Sequence, residues 1–196
     1  MRIAQISDLH LTPDGSLLYG SVNTWAAFAS VLLRLATLEP RPDFLMVTGD
    51  LAEGGDAATY RRLADRLGEV GIPFAVIPGN HDAEVQRGHQ RMSLVEFIAN
   101  FCQARAGIPE DAGTVVREMS AQPGVYWWLK APFADVIGLY SNAGESQGAI
   151  RGRTPGEEQF TWFQSALQRI AQARQNGWAA GHPPCMAARV AWSSAR

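Results

Sequence analysis

Asp43-Phe44-Leu45-Met46-Val47-Thr48-Gly49-Asp50-Leu51-Ala52-Glu53 is an apolar run that ends in a glycine and two carboxylates. Bounded by Pro42 and Gly49, the run from Asp43 to Thr48 is too short for a helix and reads as a buried strand. The same reading holds on either side of it. Upstream, Ile3-Ala4-Gln5-Ile6-Ser7 leads into Asp8-Leu9-His10; downstream, Pro73-Phe74-Ala75-Val76-Ile77-Pro78 leads into Gly79-Asn80-His81-Asp82. The segments between them have helical period. Trp25, Phe28, Val31, Leu32 and Leu35 predict an amphipathic helix stopped by Pro40 and Pro42; Tyr60, Leu63, Leu67 and Val70 predict a second, with Gly71 as its C-terminal cap. Short strands alternating with helices predict an α/β protein with a parallel sheet and crossover connections.

Further along, Phe97 and Phe101 mark a helix over Leu94 to Ala104, and the polar stretch from Gly107 to Pro123 reads as an inserted loop. Val125 to Lys130 and Ala134 to Tyr140 predict a hairpin turning through Pro132. Phe160, Trp162, Phe163, Leu167 and Ile170 predict a last helix from Pro155 to about Arg174, with Gly177 behind it. No repeat or clear linker interrupts residues 1–196, so a single domain is expected.

Seventeen basic against nineteen acidic residues give a net charge of -2, which offers no positive field for nucleic acid or anionic lipid. The N-terminus lacks the apolar stretch of a signal peptide and no run is long enough to span a bilayer, so a cytoplasmic protein without a membrane partner is expected. Cys102 and Cys185 stand in no ligand-like spacing and read as reduced thiols.

The chemistry gathers where each early strand ends. In an open parallel sheet the carboxyl ends of the strands lie along one edge, where ligands bind. Three clusters distant in sequence would meet there. In extended backbone Asp8 and His10 face the same way and can chelate one ion while Leu9 turns into the core. Asp50 has two oxygens with which to bridge two ions, and Asn80 offers a neutral oxygen beside His81. Gly49 and Gly79 each precede a ligand, where a missing side chain permits close approach. Glu53 reads as an outer residue positioning the loop, His89 as an exposed helix-entry residue, and Tyr126, Trp127 and Trp128 as core packing.

Taken together and in this order, D-x-H, G-D and G-N-H-D resemble the signature of the calcineurin-like metallophosphoesterases. Leu17-Leu18-Tyr19-Gly20 is similar to a stretch in the bacterial cyclic-nucleotide and glycerophosphodiester phosphodiesterases. The resemblance is strong to about residue 83. It is looser over the strand ending at Leu139, the helix with Gln159 and Trp162, and Gly181-His182-Pro183-Pro184. It implies a four-layer α/β/β/α sandwich of two mixed sheets flanked by helices. It also implies hydrolysis of a phosphodiester or phosphomonoester, a small phosphate-ester substrate, by a hydroxide held between two divalent or trivalent ions of Fe, Mn, Zn or Co. Carried over by residue, it makes Asp8 and His10 ligands of one metal, Asp50 the bridge, and Asn80 and His182 ligands of the other. His81 becomes the acid at the leaving group, with Asp82 orienting its ring.

Members of that family carry a further G-H-x-H string, and none follows His182 here. The expectation is a chain cut short by a frameshift or early stop, with an incomplete second sheet, one imidazole missing from each metal and a tail over 185–196 foreign to the family. A metallophosphoesterase-like protein of little or no activity is the alternative reading.

Overall fold

The computed structural model describes residues 2–53, 57–83, 116–119, 126–131, 134–141, 156–179 and 189–191. The chain divides into two compact units, Met1–Pro109 with Ser193–Arg196 and Glu110–Trp192.

In the first unit β1 (Ile3–Ser7), β2 (Phe44–Thr48) and β3 (Phe74–Ile77) form a parallel sheet in the order β1-β2-β3. Ser7 pairs with Thr48 and Thr48 with Ile77, so all three strands finish at one level. β2 and β3 are buried throughout, as a parallel strand covered on both faces should be. β1 departs from expectation: among the described residues it stands at one end of this sheet, and its Gln5 and Ser7 are exposed. The crossover helices are α1 (Thr24–Thr37) and α2 (Ala57–Glu69). Asn23 caps α1, its side-chain oxygen accepting from the Ala26 N–H at 2.9 Å. Trp25, Phe28, Leu32 and Leu35 are buried, while Val31, assigned by its spacing to the same stripe, lies on the margin and is 37% exposed. Tyr60, Leu63 and Leu67 bury the inner face of α2, and Gly71, at φ +65, turns the chain out of it.

The second unit is a mixed sheet of β4 (Val116–Met119), β5 (Trp127–Ala131), β6 (Ala134–Gly138) and β7 (Arg189–Ala191), accompanied by α4 (Gly156–Ala179). β5 and β6 form the expected hairpin, with Ala131 opposite Ala134. β4 pairs antiparallel with β5 inside the segment read as a loop. Its charged centre, Arg117-Glu118, hides the strand from a reading based on apolar runs. β7 pairs parallel with β6 within the tail read as foreign, Val190 beside Ile137. α4 continues through Gly177, a residue a helix interior tolerates at about 1 kcal/mol. Trp128, Ile137, Leu139, Ala166 and Ile170 form a core closed by Trp162 and Phe163, and Leu167 stays 39% exposed. Tyr126, Trp127 and Trp128 are buried, as packing residues should be. Buried Gln159 clasps the Tyr140 backbone, accepting from its N–H at 2.6 Å and donating to its carbonyl at 2.9 Å.

The expected helix over Leu94 to Ala104, His89 and His182 lie outside the described residues. No helix among the described residues is long and apolar enough to cross a membrane.

Candidate metal centre

The site is built where β1, β2 and β3 end together. β1 and β2 stay zipped beyond their last paired residues. The Asp8 N–H donates to Gly49 O at 3.1 Å, His10 to Asp50 O at 2.9 Å and Leu11 to Leu51 O at 3.1 Å, and Glu53 returns a bond to Leu11 O at 3.0 Å. This stitching carries Asp50 and Glu53 alongside Asp8 and His10. It does not keep the backbone extended. Asp8 (φ 55), His10 (φ 43) and Asp50 (φ 48) all stand in the left-handed region, which costs residues with a β-carbon of order 1–3 kcal/mol each. The alternation expected of D-x-H is therefore replaced by a coiled turn. Leu11, fully buried, enters the core, whereas Leu9 is only partly covered.

Donor atoms of Asp8, His10 and Asp50 converge within 4.8 Å of one another. Asp50 is buried, and its Oδ1 accepts the backbone N–H of His81 at 2.9 Å. Its Oδ2 lies 3.7 Å from His10 Nε2. Gly79 makes this packing possible, because a β-carbon there would stand 2.1 Å from Asp50 Oδ1 and 2.3 Å from its backbone nitrogen. Asn80, buried, opens the short helix α3 (Asn80–Ala83) immediately after that contact.

A second group, His10, Glu53 and His81, also brings its donor atoms within 4.8 Å. Glu53 Oε2 is 2.6 Å from His10 Nδ1 and 3.3 Å from His81 Nδ1, and the two rings meet edge-on with centroids 4.7 Å apart. His10 thus presents one nitrogen to each group. The sequence reads Glu53 as an outer residue positioning the loop, whereas the structure sets its carboxylate against both imidazoles. Its signal was the G-D-x-x-E spacing, which gains meaning only once the loop is seen to fold back on Leu11.

Asp82 occupies a different place from the one expected. Its buried carboxylate accepts from the backbone N–H groups of Leu51 (3.0 Å), Ala52 (3.1 Å) and Gly79 (2.8 Å) and from the Tyr60 hydroxyl. The His81 ring is not among its partners. Asp82 ties the loops after β2 and β3 to each other instead of orienting an imidazole. Burial pushes its carboxyl up to about 6, against the pull of those four donors.

The donor set fits a metal ion. Two carboxylates and an imidazole nitrogen converge on one spot, a clustering of like charge that a hard or borderline cation relieves. Three strained residues side by side mark a geometry that the surrounding bonds impose.

The family model for calcineurin-like phosphoesterases matches residues 1–166. The chain belongs to the calcineurin-like phosphoesterase family. Individual relatives match over shorter stretches of the chain. A probable glycerophosphodiester phosphodiesterase of Arcobacter nitrofigilis is 35% identical over 82 residues, 42% of this chain and 30% of that protein. A 3',5'-cyclic-nucleotide phosphodiesterase of Nostoc sp. is 37% identical over 85 residues, 43% and 32% of the two chains. A glycerophosphodiester phosphodiesterase of Enterobacter lignolyticus is 31% identical over 111 residues, 57% and 37%. The chain spans about a third of the length of these curated relatives.

Proposed function

We propose that this chain hydrolyses a small phosphate ester, with a cyclic nucleotide or a glycerophosphodiester as the favoured substrate class, using two metal ions. The observation that carries the reading is the convergence of Asp8, His10 and Asp50 at one end of a parallel sheet. The names of the relatives favour a diester. The reading also takes residues 1–196 as one domain of the family's four-layer α/β/β/α sandwich.

Asp8, His10 and Asp50 would hold one ion, and Asp50, Asn80 and His182 the other. When bound, the metals would supply Lewis-acid neutralisation of the phosphoryl oxygens and activation of water. The chain's own residues prepare the rest. The His81 N–H fixes Asp50 Oδ1 and leaves Oδ2 turned to His10. The His81 ring lies partly exposed beside His10 and would hand a proton to a leaving oxygen. Asp82 holds Leu51, Ala52 and Gly79 in place and so keeps the Asp50 loop against Gly79.

Metal content and hydrolysis of bis(p-nitrophenyl) phosphate with added Mn²⁺ test the proposal. The wild type should bind metal and turn over, and Asp50→Ala should lower turnover by at least about 100-fold. A wild-type chain without metal uptake or turnover would instead support the inactive alternative.

A further inference from the structure

Within this metal reading, one contact at the site assigns a role that neither the motifs nor the relatives' names supply. Glu53 Oε2 lies 2.6 Å from His10 Nδ1, while the opposite nitrogen, Nε2, stands 3.7 Å from Asp50 Oδ2. A carboxylate can only accept, so this hydrogen bond requires the proton on Nδ1, and in the neutral ring that leaves the lone pair on Nε2. In water a neutral histidine prefers the opposite tautomer, which would turn an N–H toward Asp50. We propose that Glu53 is a positioning residue that holds His10 in the Nδ1–H tautomer, with the Nε2 lone pair facing the Asp8 and Asp50 carboxylates.

Three further observations bear on it. The Glu53 N–H is anchored to Leu11 O at 3.0 Å, so the carboxylate is delivered by the stitched backbone. The two side chains are only 22% and 27% exposed, which limits competition from water. Selectivity is visible as well, since His81 Nδ1 lies 3.3 Å from the same oxygen yet makes no hydrogen bond. Glu53 therefore acts first on His10, and a hydrogen-bonded carboxylate behind a ligating histidine fixes ring orientation and raises basicity.

The test begins with metal-free, ¹⁵N-labelled full-length chain at a pH where the rings are neutral. Long-range ¹H–¹⁵N correlation reports the protonated nitrogen of each of the four histidines, with His10→Gln providing the assignment. Wild type should show His10 protonated on Nδ1, and Glu53→Ala should shift it toward Nε2–H. Calorimetric titration with Mn²⁺ should show a dissociation constant raised about 10- to 100-fold in Glu53→Ala. Glu53→Gln, whose amide oxygen still accepts, should keep the tautomer and recover part of the affinity. His10 protonated on Nε2 in wild type would overturn the assignment, and that spectrum needs no variant to fold. So would a Glu53→Ala protein with unchanged tautomer and affinity. An Nδ1–H signal lost in Glu53→Ala, from a wild type that takes up no Mn²⁺, would uphold Glu53 and refute the metal reading.

Discussion

Asp82 shows how one carboxylate can serve a site without touching its reactants. Its folded value of about 6 lies above the unfolded value of 3.8, so the folded state holds the proton more tightly. The associated stability is fully present below about pH 4 and is lost as pH rises through 6. Metal-free protein should therefore lose about 2 kcal/mol from this group between pH 4 and pH 7. Urea unfolding across that range should show the slope in wild type and a shallower one in Asp82→Asn; matching slopes would contradict it. At this scale the sequence exposes Asp8, His10, Asp50, Asn80 and His81, because each sits in a short string with recognisable chemistry. The partners of Asp82 are less legible, since three of its four donors are backbone N–H groups that carry no residue identity. Glu53 is hidden for a related reason: its partner His10 is 43 residues away.

The elements that sequence reading locates are those with strong periodicity. β1 to β3 and the β5–β6 hairpin stand within a residue or two of expectation, and α1 and α2 cover the segments whose period predicts them. β4 and β7 escape it because short strands draw their pairing from neighbours already in place. The hairpin offers a test at the level of its packing. Gly138 lies opposite Trp127, and a β-carbon there would stand 2.5 Å from the buried indole. Trp127 is one of the largest fully buried side chains and has little room to retreat. Gly138→Ala should cost about 2 kcal/mol by denaturant unfolding, with reduced tryptophan burial in fluorescence. A substitution without effect would mean that the β5–β6 face has slack that close packing does not allow.

For the whole molecule, the proposed metals join stability to function. A ligand that binds only the folded state adds about 2.7 kcal/mol at 100 times its dissociation constant. In a chain of 196 residues that amounts to a rise in melting temperature of roughly 5–10 °C. Thermal scans with Mn²⁺ and with chelator should differ by that amount in wild type and coincide in Asp50→Ala; coincidence in wild type would refute the coupling. The described site residues have a further consequence in time. Asp8, His10, Asp50, Glu53, Asn80, His81 and Asp82 all precede residue 83, whereas the second unit spans Glu110–Trp192. At the ribosome's pace of about 5–20 residues per second, the stretch from Met1 through Asp82 takes roughly 4–16 s to synthesise. A nascent chain therefore carries these seven side chains before any of the second unit has been translated.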